Sequence, residues 1–562
     1  MAASTTPPVR ILALGGLGEI GLNLMAVECG GHAVVIDCGL MFPEEPVLGG
    51  DIYVPDFAAL DTERFSIDAI VLTHAHEDHI GALPHLLKRA AAPVYGSAVT
   101  LAFARRRLRE GGYEGADLRV ISPRHPFAAG PFTVEPLRVT HSTPDSLALA
   151  LRTPAGLIVH SGDFKIDEQP VDGERFDRER FAELGAEGVA LLLSDSTNVE
   201  RAGRSGSESS IKPVLRELVS RTRGRFFVTA FSSHLHRIRQ AAEVSREFGR
   251  RVVPLGRRMA ESVRLGLEMG LLPLPPGTFI EPAEAEFLEA HRLTYLASGS
   301  QGEPLSALAR LAVDSHPRVR IESCDVVVLS SRSIPGNERT INRVVNRLFK
   351  QGAEVVYDAV APVHVSGHAS RDELAEMIAL TRPRNFIPIH GEYRHLTRHV
   401  ALAVESGICE RDCFLLEDGE TLVMNGAGAR RGAVVPAGRR MIDEAGEESD
   451  PALLGERRAL AHDGTVMAII VVSAKTGAII AGPELVSRGL VSGDGTSEHI
   501  RRARAELEAR LSQISGPLRA GESRIKYELH NEIKDEAVRT LRRYFSDELG
   551  KRPLVITHLT EV

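Results

Sequence analysis

Residues 71–79 read Val-Leu-Thr-His-Ala-His-Glu-Asp-His, an apolar strand-like run that breaks into four groups able to hold a metal: His74, His76, Asp78 and His79. Side chains two apart on extended chain share a face, so His74 and His76 point the same way while Asp78 and His79 are left for a neighbouring position. One short segment can therefore serve two cations. Imidazole and carboxylate ligands suit zinc or manganese. Two such ions make a water acidic and clamp an anion against its own charge, which is the chemistry of phosphate-ester hydrolysis.

Such a cluster needs further ligands, and the chain offers them at strand ends. Strands at 24–29 and 32–36 form a hairpin around Gly30-Gly31 and lead into Asp37. An acid buried at a strand tip needs partners, so Asp37 is assigned to orienting a metal-bound histidine. Apolar strands at 132–139, 157–161 and 189–193 are followed by His141, Asp163 and Asp195, and a later one at 385–389 by His390. Strands that each deliver one His or Asp at a sheet edge build a site from ligands far apart in sequence. A helix is expected over 81–92. The earlier Gly16-x-Gly18-x-x-Gly21 is not a dinucleotide fingerprint, because a hairpin follows it where that motif needs a helix.

From about 209 to 371 helices (211–221, 237–248, 340–350) alternate with strands (226–230, 326–330, 355–357), the pattern of a separate α/β domain with a parallel sheet. Polar loops at 231–234, 298–302 and 331–337 fall at carboxyl ends of its strands, where ligands bind. His364, Ser366 and His368 follow in one run, and then the strand-and-histidine pattern resumes at His390. The middle domain therefore reads as an insertion. The expected organisation is a first domain in two parts, 1–208 and 372–440, an inserted domain at 209–371, a linker at 441–455 and a small C-terminal α/β domain at 456–562. That last domain, with strands at 465–473, 478–480 and 553–558 and helices at 497–511 and 525–549, is assigned to oligomer contacts or substrate guidance.

The 562 residues are enough for roughly three to four domains. Hydrophobic (43%) and charged (25%) fractions are those of a soluble globular protein, and neither a membrane span nor a signal peptide is expected, which places the protein in the cytoplasm. Five cysteines give no disulfide framework. A formal net charge of −8 means that attraction to phosphate must come from local clusters. Arg105-Arg106-Arg107 with Arg109, and Arg221, Arg223 and Arg225, are the candidates.

With these residues assembled, the chain resembles the metallo-β-lactamase superfamily and, within it, the β-CASP nucleases of the bacterial ribonuclease J type. The resemblance rests on Asp37, the His74/His76/Asp78/His79 motif, His141 and Asp163 in order. It rests also on Asp195, His368 and His390 as β-CASP motifs A, B and C around an insertion, and on the runs 298–304 and 364–368. Ser232 and His234 depart from the family's loop, which has Ala and Asn there. The resemblance implies an α/β fold: an αββα metallo-β-lactamase sandwich with an inserted α/β β-CASP domain and a small α/β C-terminal domain. It implies two divalent metal ions, zinc or else manganese, one held by His74, His76 and His141 and the other by Asp78, His79 and His390, with Asp163 bridging. His368 would be the general acid, oriented by Asp195, with Asp37 and Asp78 also among the catalytic groups. Ser233, His364 and Ser366 would bind a 5′ phosphate. The implied substrate is single-stranded RNA, degraded 5′ to 3′ from monophosphorylated ends and cut internally, in RNA maturation and decay. A homodimer or homotetramer, an RNA-decay complex and no membrane association complete the expectation. Three alternatives remain: a small-molecule metallo-hydrolase, which would have no use for a whole inserted domain; a β-CASP nuclease acting on DNA or RNA 3′ ends; and a scaffold that binds RNA without cutting, against which the intact ligand set argues.

Overall fold

Val9–Gly15, Leu24–Cys29 and His32–Ile36, apolar runs joined at tight glycine turns, pair antiparallel at the heart of an eight-stranded sheet. The computed structural model describes residues 7–43, 52–63, 65–303, 305–332, 337–426, 428–443, 445–475, 478–490, 498–514 and 523–562. Most of the N-terminal lead, Pro304, residues 333–336 of one middle-domain loop and the expected helix start at Ser497 lie outside them. Beyond His32–Ile36 the sheet continues in parallel with Ser66–Val71, Val94–Gly96 and Leu118–Val120. A second sheet has six strands in the order Asn385–Ile389, Val189–Asp195, Gly156–His160, Leu147–Thr153, Phe132–Arg138, Phe127–Ala129.

The parallel pairs decide where the chemistry gathers. His32–Ile36 and Ser66–Val71 run the same way, so Asp37 and the 73–79 segment leave the first sheet at one edge. Gly156–His160, Val189–Asp195 and Asn385–Ile389 are likewise parallel, so Asp163, Asp195 and His390 lie at or just beyond the matching edge of the second sheet. Val27, Val34, Ile36 and Val71 pack against Leu149, Ile158, Leu191 and Ile387 in one core between the sheets. Outside the second sheet, Phe181, Leu374, Met377 and Leu402 of helices Arg178–Glu187, Arg371–Thr381 and Tyr393–Glu405 bury against Val159, Leu192 and Phe386, each contributing about 1.5–3 kcal/mol. Helix Ala98–Glu110 lies on Val94–Gly96 and Leu118–Val120 outside the first sheet.

Residues after the middle segment complete both sheets, Asn385–Ile389 in the second and Thr421–Asn425 in the first. The middle segment forms its own five-stranded parallel sheet in the order Arg251–Leu255, Leu293–Ala297, Phe226–Thr229, Val326–Leu329, Glu354–Val356. Two of these strands carry weak signals. Arg251–Leu255 begins with a charge and contains Pro254, acceptable because it is an edge strand, and Leu293–Ala297 is interrupted by Thr294.

A second unit covers residues 441–562. Its central strand Thr465–Val472 alternates buried and half-buried residues between Ile479–Arg488 and Leu554–Glu561. Helices Glu498–Ile514 and Ser523–Leu549 cover it with Leu507, Leu511, Leu541 and Phe545.

Three elements differ from the sequence reading. The strand expected at 478–480 runs on to Arg488, because Gly482-Pro483 interrupts the apolar run without ending the strand. Helix Pro451–His462 begins inside the stretch read as a linker. The helix expected over 81–92 is shorter, Leu83–Arg89, and is preceded by a separate turn, Glu77–Ile80, so that Asp78 and His79 ride on a helical turn of their own. Among the described residues no helix is long and apolar enough to cross a membrane.

That short turn is clasped by the backbone after Asp37. Cys38 N donates to His79 O at 2.7 Å and Leu40 N to Glu77 O at 3.0 Å, and a Cβ on Gly39 would stand 1.6 Å from the Asp78 carbonyl oxygen. Gly39→Ala must therefore push the metal-ligand turn away, at a cost of about 1–3 kcal/mol. We expect a lower thermal midpoint by calorimetry together with reduced metal content; a midpoint equal to that of the parent protein would show that the clasp is looser than described.

Candidate metal centre

Three ring nitrogens meet on one side of the site. His74 Nε2 lies 3.0 Å and His141 Nε2 3.2 Å from His76 Nδ1. On the other side His79 Nε2 and His390 Nε2 stand 3.6 and 3.8 Å from Asp78 Oδ2. Asp163 Oδ2 sits between, 3.2 Å from His79 Nε2, 3.4 Å from His390 Nε2 and 3.6 Å from His74 Nε2. All of these residues except His76 and Asp78 are buried.

Each Nε2 is aimed by a hydrogen bond at the opposite ring nitrogen. His79 Nδ1 donates to Asp37 Oδ2 at 2.8 Å, and Thr73 donates to the same carboxylate from both its backbone N and its Oγ1, each at 2.8 Å. His74 Nδ1 donates to Thr73 Oγ1 at 3.1 Å, so Asp37 supports two ligands at once. His141 Nδ1 donates to the Gly367 carbonyl at 2.7 Å, and His390 Nδ1 to Asn23 Oδ1 at 2.9 Å. With the proton fixed on Nδ1, four Nε2 lone pairs point inward.

Lone pairs about 3 Å apart repel unless a cation lies between them. Four ligands at roughly 2.0–2.2 Å around a tetrahedral ion hold one another at about that spacing. Among the described residues no donor meets the buried Asp163 Oδ2 in hydrogen-bond geometry, although His79 Nε2 is only 3.2 Å away, as suits an oxygen that faces cations. The donor set thus fits two divalent ions: His74, His76, His141 and Asp163 form one group of candidate ligands and Asp78, His79 and His390 another, while a third joins Asp163 and His390 to Asp195 and His368. Electrostatics agrees. Burial holds His74 and His141 well below the usual imidazole range and His76 at about 4. Burial also opposes a charge on His79, but Asp163, Asp78 and Asp37 raise it well above that range. For Asp163 burial disfavours ionisation, yet His390, His79 and His74 hold its carboxyl well below the usual carboxylate range. Backbone strain is accepted here too: Asp37 (φ 60°) and His390 (φ 54°) are left-handed, at about 1–2 kcal/mol each.

His368 stands beside this cluster, its Nδ1 2.8 Å from Asp195 Oδ2 and 3.9 Å from Asp163 Oδ2. Burial lowers its pKa, but the Asp195 carboxylate, with Asp163 and Asp78, pushes it up to about 9. Asp195 is fixed in turn by Thr197, whose N and Oγ1 donate to Oδ1 at 3.0 and 2.8 Å. The His368 carbonyl accepts from Asn198 Nδ2 at 3.1 Å and Ser205 Oγ at 2.6 Å. Glu373 accepts from Ile166 N, Ser205 N and Ser370 N at 2.8, 2.7 and 2.9 Å, tying together the loops that carry Asp163 and His368.

Ser233, His364 and Ser366 share no hydrogen bond with one another among the described residues. Ser366 Oγ accepts from Asn198 Nδ2 at 2.6 Å and His368 N at 3.1 Å, which leaves its proton to donate elsewhere. The His364 ring is held well below the usual range by burial, and its Nδ1 is buried without a partner. Ser233 is half-buried, and its carbonyl accepts from Leu235 N. His234 turns away to cap helix Leu235–Glu247, with Nε2 3.5 Å from Glu208 in the buried Glu208–Arg237 pair. Arg221 and Arg225 are taken up by Glu354 and Asp325.

Sequence reasoning missed Asn23, Thr73, the Gly367 carbonyl and Glu373. Only Glu373 left a signal, since Ser370-x-x-Glu373 spells a capping box, and the structure forms it. The glycine-rich loop before Asn23 instead places Leu17–Gly18 in parallel beside Gly391–Glu392, next to His390.

The metallo-beta-lactamase superfamily model matches residues 20–197, and the model of the ribonuclease J beta-CASP domain matches residues 223–348. Those of a Zn-dependent metallo-hydrolase RNA specificity domain and of the ribonuclease J C-terminal domain match 352–415 and 452–562. Ribonuclease J of Thermus thermophilus is 38% identical over 563 residues, spanning 98% of this chain and 95% of that one. The chain belongs to the ribonuclease J family. Ribonuclease J of Mycobacterium tuberculosis (37% identical, 99% of this chain and 98% of that one) and of Helicobacter pylori (36%, 99% and 80%) are similar along the same length. Family membership makes the chain a metal-dependent ribonuclease with the metallo-β-lactamase fold, a β-CASP insertion and a C-terminal domain. A solved protein of unknown function from Enterococcus faecalis V583 shares the fold, with a TM-score of 0.52 at 18% identity over 74% of this chain and all of that one.

Asp37 touches no candidate ion position yet holds His79 directly and His74 through Thr73. Asp37→Ala should weaken metal binding by about 10- to 100-fold. Elemental analysis after dialysis against graded chelator measures this, and retention equal to the parent protein would remove Asp37 from the support of the site.

Proposed function

We propose that this chain hydrolyses single-stranded RNA with two divalent cations, zinc or manganese, removing nucleotides 5′ to 3′ from a monophosphorylated end and also cutting internally, in RNA maturation and decay in the cytoplasm. The observation that carries the reading is the 2.8 Å pair of His368 and Asp195, set against Asp163 at the edge of the ligand cluster.

In this reading His74, His76 and His141 hold one ion, Asp78, His79 and His390 the other, and Asp163 faces both. When bound, the two ions supply positive charge against the phosphate and lower the pKa of a nearby water. His368 keeps its Nδ1 proton on Asp195, so the proton given to the departing oxygen leaves from Nε2. Asp195, anchored by Thr197, holds the ring in that orientation and stabilises its charged form. Asp37 and Asn23 act through His79, His74 and His390 by fixing their tautomers.

For the 5′ end, the reading draws on Ser233, His364 and Ser366. The Ser366 proton is left to donate, and the buried His364 Nδ1 has no hydrogen-bond partner among the described residues. A hydroxyl and an imidazole with nearby backbone N–H groups suit a compact monophosphate, whereas a triphosphate is larger and more highly charged. The reading extends to self-association as a dimer or tetramer and to a place in an RNA-decay complex.

The test compares single-turnover rates on one unstructured RNA bearing a 5′ monophosphate, triphosphate or hydroxyl. The parent enzyme should be fastest on the monophosphate. His368→Ala should keep that preference while slowing all three by about 10²- to 10⁴-fold, and Ser366→Ala should level the three rates. Equal parent rates on all three ends would contradict the end preference, and an undiminished rate for His368→Ala would contradict its role as acid.

A further inference from the structure

Of the two arginine clusters singled out by the sequence, Arg221 and Arg225 end in ion pairs, but the cluster at 105–109 lies beside the metal-ligand turn in a different state. Glu77, between the ligands His76 and Asp78, faces three guanidinium groups. Arg106 Nη2 and Arg258 Nη1 stand 3.9 and 3.8 Å from its Oε1, and Arg107 Nε stands 3.7 Å from its Oε2. Arg106 and Arg107 belong to helix Ala98–Glu110, whereas Arg258 comes from helix Arg257–Glu268 of the inserted domain, and Arg106 Nη1 crosses the same gap to Ser262 Oγ at 3.3 Å.

None of the three closes on Glu77. Elsewhere in this chain partly or fully buried arginine–carboxylate pairs reach 2.6–2.7 Å, as in Arg180–Glu135, Arg237–Glu208 and Arg225–Asp325. Here Arg106 Nε and Glu77 Oε2 are buried atoms with no hydrogen-bond partner. Arg106 and Arg107 also approach Glu110, at 3.8 and 3.4 Å, Arg107 Nε donates to the Gly81 carbonyl at 2.9 Å, and Glu303 acts on Arg258 from farther off. Guanidinium groups held 3.7–3.9 Å from a carboxylate, with an unused donor on Arg106, can take up a further anion. The cluster lies where the inserted domain meets the ligand turn, beside the site that handles phosphodiesters.

We propose that Arg106, Arg107 and Arg258 form a subsite for a backbone phosphate of the RNA, away from the scissile one, with Glu77 keeping the three guanidinium groups splayed around it. The inference rests on the ribonuclease reading above. Arg258 is 45% exposed at its side chain and carries the test, because Arg106, packed over the Phe103 ring, also has a structural part.

Steady-state kinetics are measured for the metal-loaded full chain on an RNA dinucleotide and on an unstructured RNA of about twelve nucleotides, over a range of salt. Arg258→Ala should raise KM for the longer RNA by about tenfold, as loss of one charged contact does, and leave its kcat and the dinucleotide rate unchanged. The slope of log kcat/KM against log salt should shrink by about 0.7. Arg258→Lys should recover most of the affinity, and Arg258→Glu should be worse than Ala. If Arg258→Ala matched the parent enzyme in KM and salt slope on the longer RNA, or lost equally on both substrates, the subsite would be refuted. Failure of the parent enzyme to hydrolyse either RNA would instead overturn the ribonuclease reading on which it rests.

Discussion

One buried carboxylate oxygen, Asp163 Oδ2, faces three imidazoles from two stretches of chain, those of His74 and His79 and that of His390, and among the described residues no donor meets it in hydrogen-bond geometry. A bare charge at that depth costs several kcal/mol, and the His390, His79 and His74 rings offset that cost, holding the carboxyl well below the usual carboxylate range. Cations would complete the same arrangement, and much of the fold serves to hold these groups together. Parallel strands in both sheets end at one edge, so Asp37, the 73–79 segment, Asp163, Asp195 and His390 arrive together although they are spread over some 350 residues.

The cost is met by rigidity in the surroundings. Asp37 and His390 adopt left-handed backbone, Gly39 lies too close to Asp78 for any side chain, and a Cβ on Gly367 would come within 2.8 Å of the His141 ring. Glu373 then gathers three backbone N–H groups from the loops after Asp163, after Asp195 and after His368. The candidate acid and the candidate ligands are thus parts of one hydrogen-bonded frame, and a displacement in one loop is passed to the others.

The candidate ligands could be picked out in the sequence because each follows an apolar strand, and the loops at strand ends are where a sheet gathers polar groups from distant parts of the chain. The insertion and the C-terminal domain followed from the pattern of strands and helices, and the sandwich from the family resemblance. Of what holds the ligands, Asp37 was legible and the rest was not. Asn23 and Thr73 act across the structure, at residues 390 and 37, and a carbonyl such as that of Gly367 has no sequence identity at all. The middle-domain strands Arg251–Leu255 and Leu293–Ala297 were hidden by a proline and a threonine that tertiary packing tolerates, and Gly482-Pro483 masked the length of Ile479–Arg488. His234, which looked like a change in the phosphate loop, is a helix cap bound into the Glu208–Arg237 pair.

The central claim is that Asp163 lies between two cations held by separate ligand sets. Anomalous diffraction from crystals of the full chain grown with manganese, recorded on both sides of the metal absorption edge, tests it most directly. The account predicts two peaks per chain, one within about 2.0–2.3 Å of His74 Nε2, His76 Nδ1 and His141 Nε2, the other equally close to Asp78, His79 and His390, with the Asp163 carboxylate bonded to both. A single peak at full occupancy, or two peaks of which only one touches Asp163, would contradict it.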